Sequence, residues 1–136
     1  MTAPQIARVA LVVIAVSAVI VLVAFQRSED SCTDSVKGMF FALRDRVPDA
    51  QLDPTVASVQ DDCPGSSRLV DAGAVLFREG HPRQAEDVLR EAVEREPESF
   101  SAWAGLASVL VSDDPAGSAD AAARAKELNP FYRPPS

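Results

Sequence analysis

The chain has 136 residues, a formal net charge of −7, two cysteines and one histidine, and 47% of its residues are hydrophobic. That length leaves room for one small domain and an appendage. Beyond Phe25 lie all 20 acidic residues but 12 of the 13 basic ones, a net of −8. This balance argues against nucleic-acid binding, which needs a basic footprint, and against a domain lying on an anionic membrane surface. The 13 basic residues are almost all arginine, a bias typical of GC-rich bacterial genomes.

Residues 1–5 read as a short tail. From Val9 to Phe25 runs an unbroken apolar stretch of 17 residues whose one polar member is Ser17, bracketed by Arg8 and Arg27. At 1.5 Å per residue it reaches roughly 26 Å, and Ile6, Ala7 and snorkelling arginines lengthen it. The stretch predicts a single transmembrane helix over residues 6–26, followed by a linker at 27–31. It is longer than the apolar core of a signal peptide, and Leu22 suits a cleavage site after Ala24 poorly. Orientation stays open. Arg27, Lys37, Arg44 and Arg46 follow the segment and favour a cytoplasmic domain by the positive-inside rule, whereas the cysteines favour the opposite side.

Residues 32–65 read as a degenerate helical hairpin. Val36, Met39, Phe40 and Leu43 mark its first helix; Asp53-Pro54 caps a short second one carrying Val56 and Val59, which ends at Pro64-Gly65. Cys32 opens the first helix and Cys63 closes the second, so an antiparallel pair sets them side by side. A disulfide there would close a loop of about 32 residues and stabilise by roughly 3–4 kcal/mol in the chain-entropy model. It implies an extracytoplasmic domain. The alternative is two unpaired thiols in a reducing cytosol. Neither cysteine belongs to a metal-spaced cluster.

In residues 66–98, apolar residues fall at Leu69, Ala72, Gly73 and Leu76, then at Ala85, Val88, Leu89, Ala92 and Val93, the steps of one helix face. Gly80 suits the left-handed residue that closes the first helix, Pro82 the first turn of the second, and Pro97 ends it. Residues 99–130 repeat the plan. Trp103, Leu106, Ala107 and Leu110 follow the first helix pattern, and Ser118, Ala122 and Ala125 follow Ala85, Leu89 and Ala92. Pro64, Pro97 and Pro130 stand 33 residues apart. A period of this length built from helix pairs marks a solenoid. Residues 131–136 form a proline-rich tail, with Phe131 and Tyr132 expected to fold back over the last helix.

On Gly73, Ala85, Leu89, Ala92 and Pro97 the chain resembles the tetratricopeptide repeat family. Its third unit keeps Trp103, Leu106 and Pro130 but has a shorter inter-helix turn. The resemblance covers residues 66–130. It implies an all-α fold: one transmembrane helix, then a short α-solenoid of about three helix pairs, the first degenerate. The packing residues would be Leu69, Gly73, Leu76, Ala85, Leu89, Ala92, Pro97, Trp103, Leu106, Leu110 and Pro130. The resemblance also implies an inner groove lined by Lys37, Phe41, Val70, Ala74, Phe77, Ala104, Ser108 and Val111, a small-residue apolar surface suited to a peptide or an amphipathic helix. The lysine and asparagine clamp that some family members use for terminal carboxylates has no counterpart at Ala74 or Ser108.

Catalysis is not expected. His81 sits in a turn; Asp61-Asp62 and Asp113-Asp114 read as helix caps and dipole partners. There is no glycine-rich phosphate loop, nucleophile elbow or metal-spaced cluster, and no cofactor or small-molecule substrate is implied. The expected role is a membrane-anchored scaffold that binds another protein or peptide, with its domain outside the cytoplasm. A constitutive small subunit without a free groove and a cytoplasm-facing adaptor are the alternatives.

Overall fold

The computed structural model describes residues 3–135. Met1 and Thr2 of the expected tail, Ser136, and the side chains of residues 3–9 and 28, Ile6, Ala7, Arg8 and Val9 among them, lie outside the described residues. Six helices follow one another: α1 (Ala3–Arg44), α2 (Asp49–Asp62), α3 (Ser66–Arg78), α4 (Pro82–Arg95), α5 (Phe100–Leu110) and α6 (Pro115–Leu128). No strand occurs among the described residues. The helices pair as α1–α2, α3–α4 and α5–α6, and the later hairpins stack through α4 on α5 and α3 on α5. The fold is an all-α helical repeat.

The second helix of each pair begins at residue 49, 82 and 115 and ends at 62, 95 and 128, a 33-residue period at both ends. Each end has the same cause. A proline stands two residues beyond the last helical position, and the residue before it is pushed out of helical geometry: Cys63, Glu96 and Asn129 all have ψ between 81° and 103°. The α3–α4 turn closes as its glycine requires. Gly80 has φ +90°, and the His81 amide donates to the Leu76 carbonyl at 2.9 Å.

The first hairpin departs from its sequence in two ways. Residues 27–31, expected as a linker, continue α1 without interruption, so one 42-residue helix joins the apolar segment to the repeats. Polarity alone does not stop a helix. No proline or glycine lies in that stretch, and the Thr33 hydroxyl bonds back to the Glu29 carbonyl at 2.9 Å. The second departure is in α2, which starts at Asp49 rather than at Asp53 and is 14 residues long, as are α4 and α6. Pro54 thus lies inside it. The missing amide leaves the Ala50 carbonyl without its helical donor, a cost offset by burying Leu52 in the extra turn beside Val56 and Val59.

Asp53, freed from capping, reaches α4 instead. It accepts from Gln84 Nε2 at 2.9 Å and from Arg83 Nη2 at 3.2 Å, and these contacts, the Gln84 bond first, hold its carboxyl below the usual range. Asp62 likewise caps nothing and accepts from the Ser35 hydroxyl of α1. The carboxy-terminal end of α2 is closed from the next hairpin, where Arg95 donates to the carbonyls of Gln60, at 2.6 Å, and Cys63. Asp114, by contrast, does cap α6, accepting from the Gly117 amide at 2.9 Å.

Between hairpins the core turns on Leu89. A methyl group added at Gly73 would lie 2.7 Å from Leu89 Cγ, and one at Gly105 would lie 3.0 Å from its Cδ2. The leucine of α4 therefore fills a hollow that glycines leave in α3 and α5 together. Leu69, Leu76, Ala85, Ala92, Leu106 and Leu110 complete the buried core, and Trp103 packs on its edge with its indole N–H on the Pro97 carbonyl at 2.8 Å. Pro97 and Pro130 are exposed and act through the backbone alone. At the far end only Tyr132 folds back, and onto α5 rather than onto the last helix as expected. Its ring meets Phe100 edge-on at 5.5 Å, and burial pushes its hydroxyl pKa up. Phe131 is 92% exposed, because the turn that docks Tyr132 on α5 directs its neighbour outward.

Candidate protein-binding surface

The groove positions predicted from sequence lie on α1, α3 and α5 or, for Val111, just past the end of α5. None of the eight is fully buried, though Val70 packs against the core. Lys37, Phe41, Ala74 and Phe77 are exposed; Val70, Ala104, Ser108 and Val111 are half-buried. Phe41 at 55% and Phe77 at 42% are unusually open for their size.

These positions do not form one trough. The polar members are already engaged locally: Lys37 pairs with Asp34 at 3.3 Å, and the Ser108 hydroxyl bonds the Ala104 carbonyl at 3.0 Å. The Arg44 guanidinium lies 4.9 Å from the Phe41 ring centre. Val70, Ala104 and Ser108 lie on the directly packed pair α3 and α5. Val111 opens instead into a hollow of about 410 Å³ shared with α6 and with Pro134 and Pro135. Lys37 and Phe41 stand apart on α1, which does not pack closely along α3.

Phe40, 48% exposed, holds the register that Gly73 holds one hairpin later. With it, Val36, Leu43 and Val75 line hollows between α1 and α3 that the groove prediction missed.

The amino-terminal half of α1 carries a helix long and apolar enough to cross a membrane, by length and composition. Its large side chains from Leu11 to Phe25 are exposed. Just beyond, the sulfurs of Cys32 and Cys63 are joined at 2.07 Å, with both residues buried. His81, at the start of α4, places Nδ1 3.0 Å from an Asp49 carboxylate oxygen, tying the second hairpin to the first. No group of three or more metal-ligating side chains occurs among the described residues.

Residues 67–109 match the tetratricopeptide repeat family. Over this segment the chain is similar to tetratricopeptide repeat proteins. The match spans α3, α4 and nearly all of α5, the stretch that closes around Leu89. No curated protein matches the chain. Tetratricopeptide repeats typically bind other proteins or peptides and are generally not enzymes.

Proposed function

We propose that this protein is a membrane-anchored scaffold of the tetratricopeptide repeat kind that holds a partner protein at the outer side of a bacterial cytoplasmic membrane. The observation that carries it is the continuity of α1. An apolar segment of spanning length runs without a break into the first repeat helix, so the repeats are held in a fixed attitude to the bilayer rather than trailing on a flexible tether. The joined cysteines support the oxidising side of the membrane, where such bonds persist. The chain's acidic domain supports contact with proteins over nucleic acid or anionic lipid.

Two experiments test this. Membranes isolated under alkylating conditions are treated with a bulky maleimide, with and without prior reduction. Labelling of Cys32 and Cys63 only after reduction is expected; no labelling even after reduction, the thiols having been free and already alkylated, would overturn the outward orientation. Crosslinking in native membranes is then expected to capture a partner through the repeat domain in a contact that added repeat-binding peptide competes away. A fixed stoichiometric complex that no peptide competes with would instead assign the protein as a constitutive subunit.

A further inference from the structure

We infer that the seam between α1 and α3 is a docking furrow for an amphipathic, acid-flanked helix of a partner protein. This deepens the scaffold assignment and rests on it. The furrow lies where α1 and α3 do not pack closely, with Phe40 on one wall and Val75 on the other. Three hollows of about 220, 240 and 420 Å³ lie in line along the seam. The first and second share Phe40 and Val75, and the second and third share Leu43 and Glu79, so they form one channel. Its α3 wall runs from Arg68 to Glu79, roughly 16 Å at 1.5 Å per residue, or three turns of a bound helix. The floor is mainly apolar in the first two hollows, which suits the leucine stripe of such a helix, and turns polar in the third, where Arg46, Glu79 and His81 join Leu43 and Val47.

Charge selects the flanks. Arg44, Arg46, Arg68 and Arg78 line the furrow against two carboxylates, Asp71 and Glu79, in a chain whose net charge is −7. Arg44 and Arg78 are partly answered by Asp45 at 2.9 Å and Glu79 at 3.8 Å. Arg46 and Arg68 make no ion pair among the described residues. Arg46 also holds φ +52°, a conformation that favours glycine, so a strained position keeps a guanidinium at the furrow's mouth. None of the inner-groove residues Lys37, Phe41, Val70, Ala74 and Phe77 lines these hollows. The furrow is a separate surface.

The full chain in phosphatidylcholine nanodiscs is titrated with two labelled helical peptides that share a leucine stripe and carry glutamate or lysine on its flanks. The glutamate peptide is expected to bind at least about tenfold more tightly, the lysine peptide suffering repulsion at the rim. Arg46→Glu with Arg68→Glu, both exposed and so tolerated by the fold, should invert the preference. Val75→Glu should abolish binding, and Ala74→Trp, which fills the inner face, should leave it unchanged. Absence of binding by the glutamate peptide overturns the inference. So does binding that survives the arginine reversals, or that is lost with Ala74→Trp. None of these results touches the scaffold assignment, which the membrane crosslinks decide on their own.

Discussion

The first and second hairpins share one backbone plan and use different means to hold it. Both end their second helix on the same 33-residue period. The α3–α4 pair closes by volume, with Leu89 seated against Gly73 and Gly105. The α1–α2 pair lacks that fit. It is closed at one end by the Cys32–Cys63 bond, and at the carboxy terminus of α2 by Arg95 from the neighbouring hairpin. Periodicity of helix ends thus follows from prolines and caps, whereas close approach of hairpins follows from side-chain size. The two can be separated, and here they are.

The sharpest way to break the contrast is Leu89→Ala. It empties the hollow shared by α3, α4 and α5 and should cost about 4 kcal/mol, read as lost protection in hydrogen exchange across all three helices. Replacing Cys32 and Cys63 with serine should cost roughly 3–4 kcal/mol and act elsewhere. Exchange should rise in α2 and in α1 beyond Cys32, while α3 to α5 keep their protection. A loss spread evenly over the three hairpins would show that the bond supports the whole solenoid.

Arg95→Met keeps the stem and removes two donors from half-buried carbonyls, at about 2 kcal/mol. Its effect should appear in α2, on the far side of the hairpin boundary. Arg46→Gly is expected to stabilise by about 1 kcal/mol, since glycine adopts φ +52° without the steric cost borne by arginine.

The smallest effect is on pH. Asp53 and Glu96 both sit below their ordinary pKa, Asp53 chiefly through Gln84 and Glu96 through its bond to Ser66 at the start of α3. A carboxyl with a lowered folded pKa stabilises above its unfolded value and loses that contribution as pH falls through the folded one. Thermal midpoints should therefore decline as pH drops below the ordinary values of 4.5 for Glu96 and 3.8 for Asp53. Glu96→Gln should flatten the upper part of that decline.

Much of the design was legible in the chain. Helix faces, the glycine turn at Gly80, the proline period and the apolar amino-terminal run follow from local rules, because a left-handed residue, a missing amide or a three- and four-residue stripe acts within one turn of helix. The same local rules misplaced the start of α2 and inserted a linker at residues 27–31. Asp53-Pro54 looks like a cap, and a charged stretch looks like a boundary. Yet Leu52 gains more from burial than one lost hydrogen bond costs, and no residue in the charged stretch resists helix. At the candidate binding surface, the sequence identified exposed inner-helix positions such as Phe41, Phe77 and Ala74. It did not show that α1 and α3 leave between them hollows lined by Phe40 and Val75 and rimmed by arginine. That outcome depends on how far apart two helices from different hairpins come to rest. Spacing along a chain determines which way each residue faces; the volume trapped between elements, which is a property of pairs, is decided in three dimensions.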